Sequence, residues 1–183
     1  MSTLIDKGNE QMKMKTQMAM AGVMAMSLVS ASVMADTGTG TVTFTGTVSD
    51  APCNIAAESV DQTVPFGLIS KSYLNGNKEV MKNFDIKLEQ CDTTTLKTAA
   101  ITFYGPNSAT GTELKTDGVA KNVAVRLASA GGNDITLGTA VEAPMQGDTN
   151  ILKFVAYAKK AAGAGDVTEG EFSSVADFRM SYK

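Results

Sequence analysis

Two cysteines, Cys53 and Cys91, stand 38 positions apart, and the chain contains no histidine. Without histidine, Ser-His and Cys-His nucleophile pairs are excluded, and a zinc site lacks ligands. Two cysteines leave a disulfide or a pair of buried thiols. An oxidising compartment favours the disulfide, which across this loop stabilises a fold by roughly 4 kcal/mol in the chain-entropy account. Asp134 and Glu142 are conceivable glycosidase carboxylates, but residue types alone set no separation of roughly 5–10 Å between them. Asp148 with Asn150, or Asn133 with Asp134, could cradle Ca²⁺, yet no EF-hand spacing is present. Gly38-x-Gly40 lacks the third glycine and the following helix of a dinucleotide loop. Polar turns and solvated surface acids are the simpler reading of all these. No cofactor, metal or catalytic residue is expected. The net charge of −3 gives no basic footprint for nucleic acid.

The elements that position these residues begin after a leader. Met1, Met12, Met14, Met18, Met20, Met24, Met26 and Met34 crowd the first 35 residues. Lys13 and Lys15 make a positive start, Met18–Val33 is apolar with small residues, and Val33-Met34-Ala35 fits a signal-peptidase site. The run is too short and too rich in Ala, Ser and Gly for a membrane span, and no basic stop follows it. Residues 1–35 therefore read as a secretory signal peptide cleaved after Ala35. Asp6 and Glu10 are unusual in such a start, which leaves Met12 and Met14 as alternative first residues. The remainder suits a single domain, and its 43% hydrophobic and 19% charged composition argues against disorder.

Beyond the leader the hydrophobic period is two, in short runs broken by Gly, Asn, Asp and Ser. The runs are 41–48, 59–66, 83–90, 100–104, 122–128, 151–158 and 176–182. Phe84, Ile86 and Leu88 share one face of the third, with Asp85, Lys87 and Glu89 on the other. Residues 151–158 are apolar on both parities, which predicts a strand covered on two sides. Turn-rich stretches such as 74–77, 105–108, 131–134 and 163–166 separate the runs. About seven strands without a helical repeat predict an antiparallel β-sandwich of immunoglobulin type, with a closed barrel as the alternative. Pro52 predicts an interruption of the first strand beside Cys53. Cys91 lies on the opposite parity to Phe84, Ile86 and Leu88, which predicts a bulge or strand end there.

The two ends carry most of the information. The last alternating run reaches Tyr182, with Lys183 after it. Residues 36–47, made mainly of Thr, Gly, Val and Phe, alternate Gly38, Gly40, Val42, Phe44 and Gly46 on one face. If the sandwich lacks one strand, an open edge and a groove result, and an extended peptide fits there by strand addition. Pattern alone equally allows 41–48 to be the first strand of its own domain.

Several stretches together resemble the major pilins of chaperone–usher fimbriae, on the type 1 and P-pilus branch. They are Gly40-Thr41-Val42-Thr43-Phe44-Thr45-Gly46-Thr47-Val48, Ala51-Pro52-Cys53-Asn54-Ile55, Asp61-Gln62-Thr63-Val64-Pro65-Phe66-Gly67 and Phe84-Asp85-Ile86-Lys87-Leu88-Glu89-Gln90-Cys91. Gly170 stands fourteenth from the end, and Phe178, Met180 and Tyr182 alternate after it. The resemblance spans residues 36–183. It implies an all-β, incomplete immunoglobulin-like sandwich lacking its last strand, over residues 48–183, preceded by a donor-strand extension over 36–47. It implies that a periplasmic chaperone first lends a strand beside the C-terminal strand, and that at an outer-membrane usher the extension of the next subunit replaces it. In that scheme Gly38, Gly40, Val42, Phe44 and Gly46 fill successive pockets, Gly40 where the groove is tight. Gly170, Phe172, Phe178, Met180 and Tyr182 form the accepting edge, and the Lys183 carboxylate is held by the chaperone. The expected product is a head-to-tail fimbria on the cell surface, with no enzymatic role. A minor adaptor or terminator subunit, or a tip-adhesin binding module, is the alternative function.

Overall fold

β-branched and aromatic residues alternating with polar ones build two packed sheets, all of whose pairings are antiparallel. The first sheet runs in the order β1 (Asn54–Ile55), β2 (Val80–Glu89), β8 (Asn150–Lys160), β6 (Val123–Ser129) and β4 (Glu113–Lys115). The second runs β10 (Asp177–Tyr182), β3 (Thr98–Tyr104) and β7 (Ala140–Pro144). A two-stranded pair joins β5 (Asp117–Gly118) to β9 (Phe172–Ser173). Two single-turn helices, α1 (Ala57–Val60) and α2 (Lys71–Asn75), lie in the stretch between β1 and β2. The structure, a computed structural model, describes residues 38–108 and 110–183. The expected leader over 1–35 lies outside them. Thr47–Lys183 forms one compact unit, and the residues before it are described separately.

Between the sheets lies one apolar core. Ile86 and Leu88 of β2, Leu152 and Phe154 of β8, and Ile101 and Phe103 of β3 are all buried. Phe103 packs edge-on against Phe154 with ring centroids 5.1 Å apart, and Phe84 and Phe178 close the cluster at 6.1 and 6.4 Å from Phe103. Such geometry adds about 0.5–1.5 kcal/mol per pair beyond simple burial. Cys53 and Cys91 are joined in a disulfide that ties β1 to the end of β2. β2 stops at Glu89, and Gln90 takes φ 52°, so the parity shift at Cys91 is a strand end. Pro52 accepts the Asp92 N–H at 2.8 Å, and the paired stretch of β1 is only two residues long.

Three expectations need correction. Residues 41–48 lie in no strand and are exposed, so they are not the first strand of their own sheet. Phe44 is 90% exposed. Residues 59–66 are also not a strand. Ser59 and Val60 belong to α1, where the buried Ser59 hydroxyl accepts the Lys87 N–H at 3.0 Å. Asp61–Ile69 then continues with no backbone–backbone hydrogen bond among the described residues. Alternation survives there only in burial, with Val64 and Phe66 half-buried between exposed neighbours. Finally, β8 is buried on one face only. On the other, Ile151 is half exposed, and Arg126 rather than a second layer covers Tyr157, 4.0 Å from its ring centroid.

Candidate functional site

β10 is the outermost strand of its sheet, paired only with β3. Lys183 and Thr98 exchange both N–H···O bonds at 2.9 Å, and the register then runs Tyr182 opposite Ala99 through Asp177 opposite Tyr104. In an antiparallel ladder bonded and non-bonded pairs alternate. Ser181, Arg179 and Asp177 therefore bond to β3, while the backbone groups of Tyr182, Met180 and Phe178 point along the open edge. The side chains of those same three residues turn inward and pack on the core, whereas Asp177, Arg179 and Ser181 face solvent. An edge of this kind accepts another strand.

Beside that edge runs a groove of about 1260 Å³. One rim is the strap Asp61–Ile69, and the other is the chain from Gly170 to Phe178. Its floor is the core itself, with Phe84, Ile86, Phe103, Val125 and Leu127 contributing. The side chains of these five residues are all apolar.

The far rim is fixed by close backbone packing. Gly118 has φ 132° and pairs with Phe172. Gly170 has φ 136°, and a Cβ there would lie 2.7 Å from the Ala120 nitrogen. Only glycine suits both the dihedral and the space. Asn75 of α2 clamps the adjoining segment, its Oδ1 accepting the Val167 N–H at 2.8 Å. Leu74, Ala120, Val123 and Val167 form a second small core there, with Ile69 and Phe172 against it. The near rim is held differently. The strap hangs between α1 and α2, and one of its few polar ties is Gln62 Nε2 donating to the Asp85 carbonyl at 3.0 Å.

The structure brings Gly170, Phe172 and Phe178 to the groove wall. Met180 and Tyr182 lie further along β10, half-buried against the main core. Burial pushes the Tyr182 phenol above its ordinary range. One oxygen of Lys183 accepts N–H bonds from Lys97 and Thr98 at 2.8 and 2.9 Å, and its ammonium pairs with Glu142. Gly38, Gly40, Val42, Phe44 and Gly46 are all exposed. The strap and the floor residues Val125 and Leu127 were not among the expected site residues. Pro65 inside the alternating run 59–66 was the signal for the strap, since a proline cannot donate to a ladder.

The acids considered for chemistry are occupied elsewhere. Asp134 pairs with Arg126 and Glu142 with Lys183, so the two do not face each other as a catalytic pair. Asn150 Oδ1 accepts the Gln146 N–H at 2.7 Å in a local turn. Among the described residues no group of three or more His, Cys, Asp or Glu is placed to hold a metal.

A family model described as fimbrial protein matches residues 42–183. The Fimbria A protein of Serratia marcescens is 44% identical over 75% of this chain and 81% of its own length. The major MR/P fimbria protein of Proteus mirabilis is 39% identical over the same shares. Among solved structures, the P pilus rod subunit PapA superposes with a TM-score of 0.68 at 31% identity, covering 73% of this chain and all of that one. A subunit of a chaperone–usher pilus, solved to explain rod uncoiling, gives 0.72 at 35% identity over 80% and 97%. An open edge, an apolar groove and these likenesses together place the chain in the fimbrial protein family, as a structural subunit of a chaperone–usher fimbria.

Proposed function

We propose that the groove and the open edge of β10 receive residues 36–47 of a second copy, which supplies the missing strand of the sandwich. One observation carries this reading: β10 leaves the backbone of Phe178, Met180 and Tyr182 unbonded along its edge, and at its Phe178 end that edge meets a groove whose floor is core. An extended peptide there gains main-chain hydrogen bonds on one side and buries alternate side chains beneath. Gly38, Gly40, Val42, Phe44 and Gly46 share the inward face of that peptide. The exposure of Val42 and Phe44 in the single chain leaves both available for transfer. Gly38–Gly46 extends about 30 Å, longer than the roughly 20 Å of β10, so the donor also passes segment 170–173. The contact is heterologous and does not close on itself, which makes a linear polymer.

Before polymerisation the same edge takes a strand from a periplasmic chaperone, and an outer-membrane usher is the place of exchange. Residues 1–35 direct the chain to that route as a cleaved signal. Lys183, which follows β10, belongs to the edge that the chaperone strand pairs with. Deleting residues 36–46 tests the scheme: fibres are expected to vanish from electron micrographs while the chaperone complex still co-purifies. Normal fibres from the deleted chain would refute strand donation.

A further inference from the structure

Two contacts cross the groove at one end, from the strap side to the far rim. The rings of Phe66 and Phe172 lie with centroids 6.1 Å apart, tilted by 37°. Beside them Lys71 Nζ meets Glu169 Oε1 at 2.7 Å. All four residues line the groove. The two sides they join are unequal. Phe172 sits in β9, fixed by the glycine packing at Gly118 and Gly170. Phe66 sits mid-strap, where no backbone ladder holds the chain, and the next residue, Gly67, takes φ 75°. A segment without ladder bonds opens at lower cost than one within a sheet.

We infer that Phe66–Phe172 and Lys71–Glu169 form a clasp that must part before an incoming strand seats along the whole groove. The inference rests on the strand-acceptance reading above. The clasp sets how fast the strand enters, and the floor and edge set how tightly it stays. The aromatic pair carries most of the effect, because the ion pair is exposed and screened by salt.

The experiment uses the full chain with its disulfide intact and a fluorescently labelled peptide of residues 36–47, following anisotropy over time. Phe66→Ala, on the strap side of the pair, is expected to quicken uptake roughly two- to ten-fold with the same final occupancy, the range of a single aromatic pair. Glu169→Gln is expected to quicken it by up to about five-fold at low salt and not at all near 1 M salt. Its residue is on the surface, so it decides the matter if Phe66→Ala fails to fold. Wild-type rates in the variants at equal occupancy would overturn the clasp and leave strand acceptance standing. Lower occupancy at an unchanged rate would show that these side chains hold the strand instead, and would also overturn it. If the wild-type chain takes up no peptide, the strand-acceptance reading itself fails.

Discussion

Glu113 of β4 is only 3% exposed, and both of its side-chain oxygens have partners. Its Oε1 accepts a bond from Lys159 Nζ at 2.6 Å and its Oε2 accepts the Ala162 N–H at 3.1 Å. Arg126 continues the chain of charges, meeting Glu79 at 2.7 Å and also Asp134. Removing one member of such a pair strands the other, while replacing both is far milder. Glu113→Leu is therefore expected to lower stability by about 3 kcal/mol in urea unfolding. The double change with Lys159→Met should recover most of that loss. Tyr182 offers a pH handle on β10. Burial raises its folded-state pKa above the ordinary value near 10, so the folded state prefers the neutral phenol. The stability this contributes is full below about pH 10 and is lost as pH rises through the folded pKa. Unfolding of wild type and Tyr182→Phe compared from pH 8 to 11 should diverge only above pH 10, the wild type falling faster.

At the scale of elements, β2, β3, β6, β8 and β10 were legible because each keeps an apolar face for long enough to show period two. β7 was not. Its Ala-Val-Glu-Ala-Pro has weak strand character, and Pro144 is tolerated because β7 is an edge. β1, β4, β5 and β9 are two or three residues long, too short for any period to register. The strap misled for a physical reason: its alternation is real in burial but has no ladder, and sequence cannot say whether a strand has a partner. β10 itself was readable from Phe178, Met180 and Tyr182, but its edge position was not, because period two does not count partners. The resemblance named Gly170 and Phe172 of the far rim, but the packing that holds that rim was not legible, since it depends on Gly118 meeting segment 171–172, which is remote in sequence. That rim yields a prediction contrasting two glycines. Gly170→Ala puts a Cβ 2.7 Å from Val119 and Ala120 at a positive φ, and should cost roughly 3 kcal/mol of subunit stability. Gly40→Ala has nothing within 4 Å and should leave the melting temperature of the subunit unchanged. Equal effects at both positions would show that the rim is not held by close packing.

At the scale of the whole molecule, the proposed donor segment 36–47 and the proposed accepting edge at β10 are separate parts of one chain, and under that proposal assembly has a direction. A subunit whose extension is spoiled still has a groove to be filled, but it fills no one else's. Phe44→Asp does this with little expected effect on the subunit's own fold, because Phe44 is exposed in the single chain, while a carboxylate has no partner on an apolar groove floor. Such a chain, expressed alone, should make no fibres. Expressed with wild type and carrying an epitope tag, it should be missing from fibre shafts and appear at most at one end, as a copy that accepts without donating. Tagged wild type should label fibres along their whole length. Immunogold labelling separates these patterns directly. Tag spread evenly through shafts built with Phe44→Asp would mean that copies join through some other surface, because a heterologous head-to-tail contact cannot pass through a subunit lacking one of its two halves.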